Sequence, residues 1–585
     1  MPLPAGLPVA APPAPPRHRG LRLAPAALAV LLGAADTYVV VLALPDLMTG
    51  VGLAVDDLAE AAPIVSGFLL GYVAVLPLAG RLSDVAGRVP VLVACLLGFA
   101  LGSLVTASAT SLPVAVAGRG LQGLGAGGLV PPALALVADL WGERERGLPL
   151  GVVGAAQELG AVLGPLLGAA VLAAAGWRAI FWLNLAAALA LALTLAVAGS
   201  PGRGRPALLP AGALLAGVLG AAALALALRP PDALAQDVTL GALVVPAAGD
   251  AAWSSPLALA AAVLLAAALG VAAVRGRARH QLADADLPGV LLLAVALAGV
   301  VLTFAGAETT RSVVDDRWPL YVAVTAVATA GFVVRQRTAA SPLVPRGAVR
   351  EPGARAALVT NALVGVALVG VLVDVPVFAR VTRFPTSQLG AALVLLEFLA
   401  ALPVGALAGG WALRRLPPRA VAAGGLAVAA LAVAGTTTWD ARALYGAPAQ
   451  VLLVVAGLGF GLAIAPVNAV LLAATPAPVH GLAGALAVLT RSVGMLVGLS
   501  VLTAVGLRLF EARQAALPSP FELCPSSPAD CPAYVAATTA SVLGELRAVF
   551  GGAAVALGLA VAVAAVWLRA APALPASGPD LEGGA

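Results

Sequence analysis

The sequence contains no lysine, because all 33 of its Lys and Arg residues are arginine. A Walker-type phosphate-binding loop requires a lysine, so the chain cannot hold such an ATPase site. Histidine is also scarce, and His18, His280 and His480 are far apart. No acidic cluster and no nucleophile beside a base stands out, which argues against a metal site and against a membrane-embedded enzyme.

Charged residues are also scarce. Only 10% of the 585 residues are charged, whereas 61% are hydrophobic. A soluble protein could not bury so much apolar surface, so the chain is predicted to be an all-α polytopic membrane protein. The net charge of +5 does not indicate a nucleic-acid partner, since membrane proteins keep excess arginine on their cytoplasmic loops.

Long apolar runs are plentiful. A transmembrane helix needs about 20 apolar residues. We expect 14 to 16 spans and prefer sixteen, at 23–45, 62–80, 90–109, 112–138, 148–174, 179–199, 207–228, 256–274, 287–305, 319–334, 356–379, 389–411, 420–436, 449–474, 483–506 and 544–568. The first run is too long for a signal-peptide core and no cleavage-like site follows it, so it is read as a retained span.

The arginines indicate the orientation. With the N-terminus inside, twenty-one arginines lie in cytoplasmic segments and ten on the opposite side. The excess on one side predicts that both termini are cytoplasmic. The loop between the last two spans, 507–543, then lies outside, where disulfides persist. We expect Cys524 and Cys531 to form a local disulfide there, with two free thiols as the alternative.

Four segments carry a family resemblance. They are Asp36–Pro45, the charged segment Gly80–Arg88, Arg119–Gly127, and Gly160–Gly168 followed by Trp177–Asn184. Together they resemble the major facilitator superfamily, in its drug:proton antiporter branch with extra helices. The resemblance implies two six-helix halves around a site at the midplane. A weak internal repeat agrees with this plan, because Gly409–Arg415 ends its span much as Gly80–Arg81 does.

A closer resemblance comes from longer stretches. The segments Asp36–Val41, Gly154–Gly160, Leu372–Val375 and Arg491–Leu496 are similar to the family of mycobacterial triacylglyceride exporters. That similarity implies lipid cargo, a bacterial plasma membrane and a periplasmic lipoprotein as a partner. The family has fourteen spans, so the pair at 287–334 would be an addition. Glu397 departs from the family by standing where a large apolar residue is expected.

The predicted organisation has five parts. We expect a protein that functions as a monomer and has a disordered cytoplasmic tail (1–22), a first six-helix half (23–200) and a linker with extra helices (201–340). A second six-helix half with the loop 507–543 (341–569) and a short cytoplasmic tail (570–585) follow.

Three charged residues stand near the middle of their predicted spans: Asp36, Glu158 and Arg491. An ionised group at that depth costs about 2.5–3.5 kcal/mol, so each needs a partner or a water-filled cavity. Glu158 lies about 200° around its helix from a stripe of small residues, so it is expected to face a cavity. We predict an ion pair between Glu158 and Arg491 that is released by protonation, with one carboxylate left over. The alternative is a static clamp.

Further candidates have gating or coupling roles in this interpretation. Gly80 and Gly87 are expected to permit a tight turn whose charges, Arg81, Asp84 and Arg88, latch the cytoplasmic side. Helix capping would explain Asp84 equally well. The resemblance assigns Arg119, beside Gln122, a role in proton transfer, with a fixed hydrogen bond to carbonyl groups as the alternative. Gly164–Pro165 is a hinge or a packing joint. Asp374 and Glu397 are weaker candidates.

The leading interpretation is a proton-coupled exporter of lipids, without a bound cofactor, because the energy must come from an ion gradient. A multidrug:proton antiporter is the alternative, since it is built in the same way. The sequence alone does not separate the two cargoes.

Overall fold

The computed structural model describes residues 16–53, 58–198, 211–231, 286–305, 317–339, 349–385, 387–525 and 531–568, with scattered positions at 244–268 and 342–347. Throughout this part of the chain the regular structure is helical. That outcome follows from the solvent: lipid offers no hydrogen-bond partner to a backbone, and a helix satisfies its own N–H and C=O groups. The predicted tails lie largely or wholly outside the described residues. Residues 16–22 are described, and there the prediction of a disordered tail is wrong, because they form the start of the first helix.

The helices are numbered in chain order. They are α1 (Pro16–Gly50), α2 (Leu58–Ala86), α3 (Arg88–Ala107), α4 (Leu112–Gly127), α5 (Val130–Leu140), α6 (Gly147–Ala175), α7 (Trp177–Ala198), α8 (Ala211–Leu228), α9 (Leu287–Ala305), α10 (Trp318–Thr338), α11 (Pro352–Thr382), α12 (Gln388–Ala412), α13 (Pro418–Thr436), α14 (Ala447–Ala473), α15 (His480–Ala515) and α16 (Pro532–Trp567).

Within the described residues, 13 helices are long and apolar enough to cross a membrane. They coincide with thirteen of the sixteen predicted spans. Two other predicted spans are the helices α8 and α9, and the apolar part of α9 is shorter, Leu287–Val300. The span predicted at 256–274 falls mostly outside the described residues. The count of sixteen therefore stays a prediction.

The span predicted at 112–138 is broken into α4 and α5. Gly128 and Leu129 separate the two helices, and Pro131 and Pro132 follow in the first turn of α5. Proline cannot donate a backbone hydrogen bond, and two in succession leave two donors missing, so the pair suits the start of a new helix. The apolar run hid this break, since hydropathy carries no information on backbone donors.

The turn predicted over residues 80–88 is wrong in extent. Helix α2 continues to Ala86, and only Gly87, at φ 101°, separates it from α3. Gly87 adopts a left-handed conformation that favours glycine. Gly80 is helical instead, and its missing side chain permits close packing, because a Cβ there would lie 2.6 Å from the carbonyl oxygen of Gly481.

The loop predicted at 507–543 is shorter than expected. Helix α15 continues to Ala515 and α16 begins at Pro532, so much of that segment is helical. The polar residues there marked the end of the apolar run but still favour a helix, since Ala, Leu, Arg, Glu and Gln are good helix formers. A disulfide joins Cys524 to Cys531 in the remaining connection.

Helices α1–α7 and α11–α16 form two halves that meet face to face. Their closest approach is at the end of the bundle that carries residues 80–88, here called the 80–88 end. There Gly80 packs on Gly481, and Gly147 packs on Gly410. The other end, which carries the disulfide, is called the 524–531 end.

The linker helices pack on both halves. Leu297 of α9 contacts Val73 of α2 and Leu489 of α15, in one buried cluster. Helix α8 packs elsewhere, where Leu224 joins a cluster with Leu104 of α3. The pair α9–α10, predicted as the addition, therefore contacts the interface between the halves through α9. The described part of α8 packs on the first half.

Candidate functional site

An ion pair joins the two halves in the interior. Arg491 Nη1 of α15 donates to Glu158 Oε1 of α6 at 2.7 Å. The exposed fraction is 6% for the Glu158 side chain and 20% for that of Arg491. The structure thus brings together the acid and the base that the sequence placed at one depth, although the residues are 333 positions apart.

The direction of Glu158 follows from the packing of α6 on α1. Gly160, Gly164 and Gly168 lie along this contact, and a Cβ at Gly160 would lie 2.6 Å from the carbonyl oxygen of Leu31. The small residues let the two backbones approach closely, as in other membrane helix pairs. Glu158 is directed away from this seam, toward the second half.

Asp36 belongs to a different ion pair. Arg119 Nη1 of α4 donates to Asp36 Oδ2 at 2.6 Å, and Asn184 Nδ2 of α7 donates to Asp36 Oδ1, also at 2.6 Å. Both charged side chains are at most 1% exposed. The pair holds α1, α4 and α7 together inside the first half.

The prediction that one carboxylate is left unpaired is therefore wrong for this conformation. Asp36 pairs with Arg119, and Glu158 pairs with Arg491, so each acid has its own arginine. Only Arg491 is counted as a base in that prediction, because Arg119 is there expected to bind carbonyl groups or to transfer protons. Asn184 was missed as a partner of Asp36, and a carboxamide inside an apolar span was the available signal.

The surroundings of Arg119 are polar on one side and aromatic on the other. Its Nη1 also donates to Gln122 Oε1 at 3.0 Å, and its guanidinium lies 4.3 Å from the ring centre of Phe68. Gln122 Nε2 donates to Ser103 Oγ at 2.8 Å. This network gives the buried Arg119 guanidinium hydrogen-bond partners on several sides, which offsets the free-energy cost of burying its charge.

A second contact between the halves lies at the 80–88 end. The backbone N–H groups of Gly481 and Leu482, at the start of α15, donate to the Asp84 carboxylate at 2.7 and 3.0 Å. Arg88 pairs with Asp84 and, through Nε, with Asp139 at 3.0 Å. A carboxylate at a helix N-terminus is favourable. Asp84 therefore caps a helix of the opposite half, so the capping and latch interpretations describe one contact.

We expect Asp84→Asn to loosen this contact, since it removes the charge from two charge-assisted hydrogen bonds. The labelling rate of a cysteine at Ala485, which is buried beside Gly80, should rise about tenfold, the effect of ~1.4 kcal/mol. Maleimide labelling in membranes measures it. Asp139→Asn is the matched control, because Asp139 also pairs with Arg88 but is 44% exposed. Equal rates in both variants would contradict the latch.

The remaining candidates are placed as follows. Arg81 is half-buried in α2, and Pro165 lies within α6, which continues past it to Ala175. Asp374 of α11 is half-buried and close enough to Glu545 of α16 for the two to repel each other.

Glu397 of α12 has a buried Oε2 with no hydrogen-bond partner among the described residues. Arg383 acts on it electrostatically, yet that guanidinium donates its hydrogen bond to the carbonyl oxygen of Leu444. Neither Asp374 nor Glu397 belongs to the ion pair that bridges the halves.

A cavity of about 50 Å³ lies between the halves, next to the bridging pair. Arg491 lines it, together with apolar side chains such as Phe460, Leu402 and Val364. The lining also contains three carboxamides that are not among the residues predicted from the sequence: Gln157, Asn361 and Asn468. Their signal was the one that also marks Asn184, an amide in the middle of an apolar run.

Metal binding finds no support in the side chains. Across the described ranges, no group of three or more His, Cys, Asp or Glu residues could hold a metal ion. The polar groups at the interface form an ion pair and hydrogen bonds instead.

Comparison with known proteins shows which family this chain resembles. Residues 26–334 match the family model of the Major Facilitator Superfamily. A protein of Mycolicibacterium hassiacum named triacylglyceride transporter is 36% identical over 525 residues, which cover 88% of this chain and 84% of that protein. The triacylglyceride transporter of Mycobacterium tuberculosis is 35% identical and covers 85% of each chain.

Solved structures agree in fold. A human organic anion transporter, MFSD10, has a TM-score of 0.52 at 18% identity, covering 93% of this chain and all of the other. The proton:xylose symporter XylE has a TM-score of 0.50 at 15% identity, covering 92% of this chain and 95% of its own. Both likenesses concern the arrangement of the helices alone.

Proposed function

Because the chain belongs to the major facilitator superfamily, we propose that it exports triacylglyceride-like lipids by alternating access, driven by the proton gradient. The observation that carries the coupling is the 2.7 Å ion pair between Glu158 and Arg491, since each half contributes one charge. The names and the 34–36% identity of the mycobacterial relatives support the lipid cargo.

The ion pair acts as a proton-sensitive bridge. While Glu158 is ionised, its attraction to Arg491 holds α6 against α15 beside the cavity. A proton on Glu158 removes that attraction, and the halves are then free to separate and reorient. A bound proton is thereby coupled to the conformational change, because it changes the energy difference between two conformations.

Asp36 serves as a second proton site or tunes the first. It is buried between Arg119 and Asn184, on α1, and α1 is the helix on which the glycine stripe of α6 packs. A change at Asp36 would therefore be passed through this seam to Glu158. The two acids are thus linked by a single contact, the one between α1 and α6.

The cavity chemistry favours a neutral apolar cargo over a cationic drug. Its charged lining residue is Arg491, and no carboxylate of the described chain lines it. A cation entering there would find no free counter-charge, since the nearby Glu158 is already paired with Arg491. This is the observation that favours the lipid exporter over the multidrug antiporter.

The proposed setting is the bacterial plasma membrane, with the 80–88 end in the cytoplasm. This placement rests on the arginine distribution and puts the disulfide outside. The helical extensions of α15 and α16 then project on the outer side, where a periplasmic lipoprotein could accept the lipid. We propose a monomer as the working unit and no bound cofactor.

The proposal is tested by lipid export in a host that lacks its own triacylglyceride exporter. Wild type should restore export, and Glu158→Gln should not. Gln336→Met, a change outside the cavity lining, is the control for expression and insertion. If wild type moved no lipid but lowered the accumulation of a cationic dye, the multidrug alternative would replace this proposal.

A further inference from the structure

Three carboxamide side chains line the cavity between the halves. Gln157 comes from α6 of the first half, whereas Asn361 of α11 and Asn468 of α14 come from the second. All three are half-buried. The amides therefore converge on one space from three helices, beside Arg491.

Packing does not explain these amides. A carboxamide within a membrane span is costly unless its donors and acceptor are satisfied, and the rest of the cavity wall is mostly apolar. None of the three makes a hydrogen bond to another side chain or backbone group of the described residues. Asn184 is the contrast, because its amide donates to Asp36. The cavity amides are thus available to a ligand.

The cavity, of about 50 Å³, is too small for a whole lipid in this conformation, so the cargo reaches these groups only as the halves separate. The lining then restricts which chemical groups can bind. Each carboxamide offers both donors and an acceptor, whereas the Arg491 guanidinium only donates, so donors outnumber acceptors and favour a ligand whose polar atoms accept hydrogen bonds. Since no carboxylate of the described residues lines the cavity, the lining gives a cationic ligand no counter-charge. An ester of glycerol is neutral, has carbonyl oxygens that only accept, and has alkyl chains that suit the surrounding Val, Leu and Phe side chains.

We propose that Gln157, Asn361 and Asn468 bind the ester carbonyl groups of the cargo and so select acylglycerols over ether lipids of equal chain length. This inference rests on the proposed lipid transport and names the chemical group that the site recognises. A site that hydrogen-bonds its substrate rejects an analogue lacking the bonded group, because its own polar atoms are then left unpaired.

The test compares two lipids in proteoliposomes, a triacylglycerol and the trialkylglycerol ether with the same chain length. Purified wild type should transfer the ester about tenfold faster than the ether, as expected for lost hydrogen bonds. The triple variant Gln157→Met, Asn361→Leu, Asn468→Leu should transfer the ester no faster than the ether, while its ether rate stays near that of wild type.

Controls separate this inference from the function on which it rests. Gln336→Met is the same chemical change outside the cavity lining and should keep the wild-type preference. If the triple variant does not fold, the single variant Asn468→Leu takes its place. It should lower the preference for the ester over the ether. Equal transfer of ester and ether by wild type would overturn the inference while leaving lipid transport intact. Transfer of neither lipid would overturn both.

Discussion

Replacing Asp36 with alanine is expected to destabilise the folded protein by about 3–5 kcal/mol, because it leaves the Arg119 guanidinium buried without its counter-charge. Both side chains are at most 1% exposed. Asn184 would also lose its acceptor. The remaining contacts of Arg119, to Gln122 and to the ring of Phe68, are to neutral groups and cannot replace the ionic partner.

Thermal unfolding of the purified protein in detergent measures this loss. The double variant Asp36→Asn, Arg119→Gln should recover much of the stability, since it removes both charges and keeps hydrogen-bonding groups. Glu145→Ala is the matched control: it breaks the ion pair with Arg19, in which Glu145 is 66% exposed, and should change stability by less than about 1 kcal/mol. An Asp36→Ala protein as stable as this control would contradict the expectation.

The contrast between the two ion pairs shows what the sequence could predict. Hydropathy located the spans, and span position placed Glu158 and Arg491 at one depth, so their meeting was accessible. The pairing of Asp36 with Arg119 was not, because depth carries no information on how α1 and α4 are rotated toward each other. The same gap hid Asn184 and the cavity amides, whose roles depend on which face of each helix meets the partner half.

The ends of the helices were also predicted poorly from the sequence. Gly80 was assigned to a turn since glycine and charge mark turns in sequence, yet α2 continues to Ala86. Its glycine is needed for the contact with Gly481, a residue of the other half. Likewise, the ends of α15 and α16 extend past the apolar runs, because a helix can continue beyond the thickness of a bilayer.

Neutralising Glu158 should shift the protein away from the present conformation, in which the halves meet at the 80–88 end. Glu158→Gln mimics the protonated acid and removes the charge that holds α6 to α15. Coupling energies of about 1–3 kcal/mol would change the ratio of the two conformations by roughly 5–150-fold. In wild type, acidification should cause the same shift, because protonation of Glu158 also removes the charge. In Glu158→Gln that response should be lost.

Spin labels at Ala174 and Tyr445 would measure this, since the two sites are exposed, lie at the 524–531 end and belong to different halves. The free Cys95 is replaced by alanine so that only these positions react. A shorter label distance should gain population in Glu158→Gln, and the charge-swapped variant Glu158→Arg, Arg491→Glu should restore the original distribution. An unchanged distribution with an intact pH response would mean that the bridge is a static clamp. Asp36, whose carboxylate is also buried against an arginine, would then be the next proton site to test.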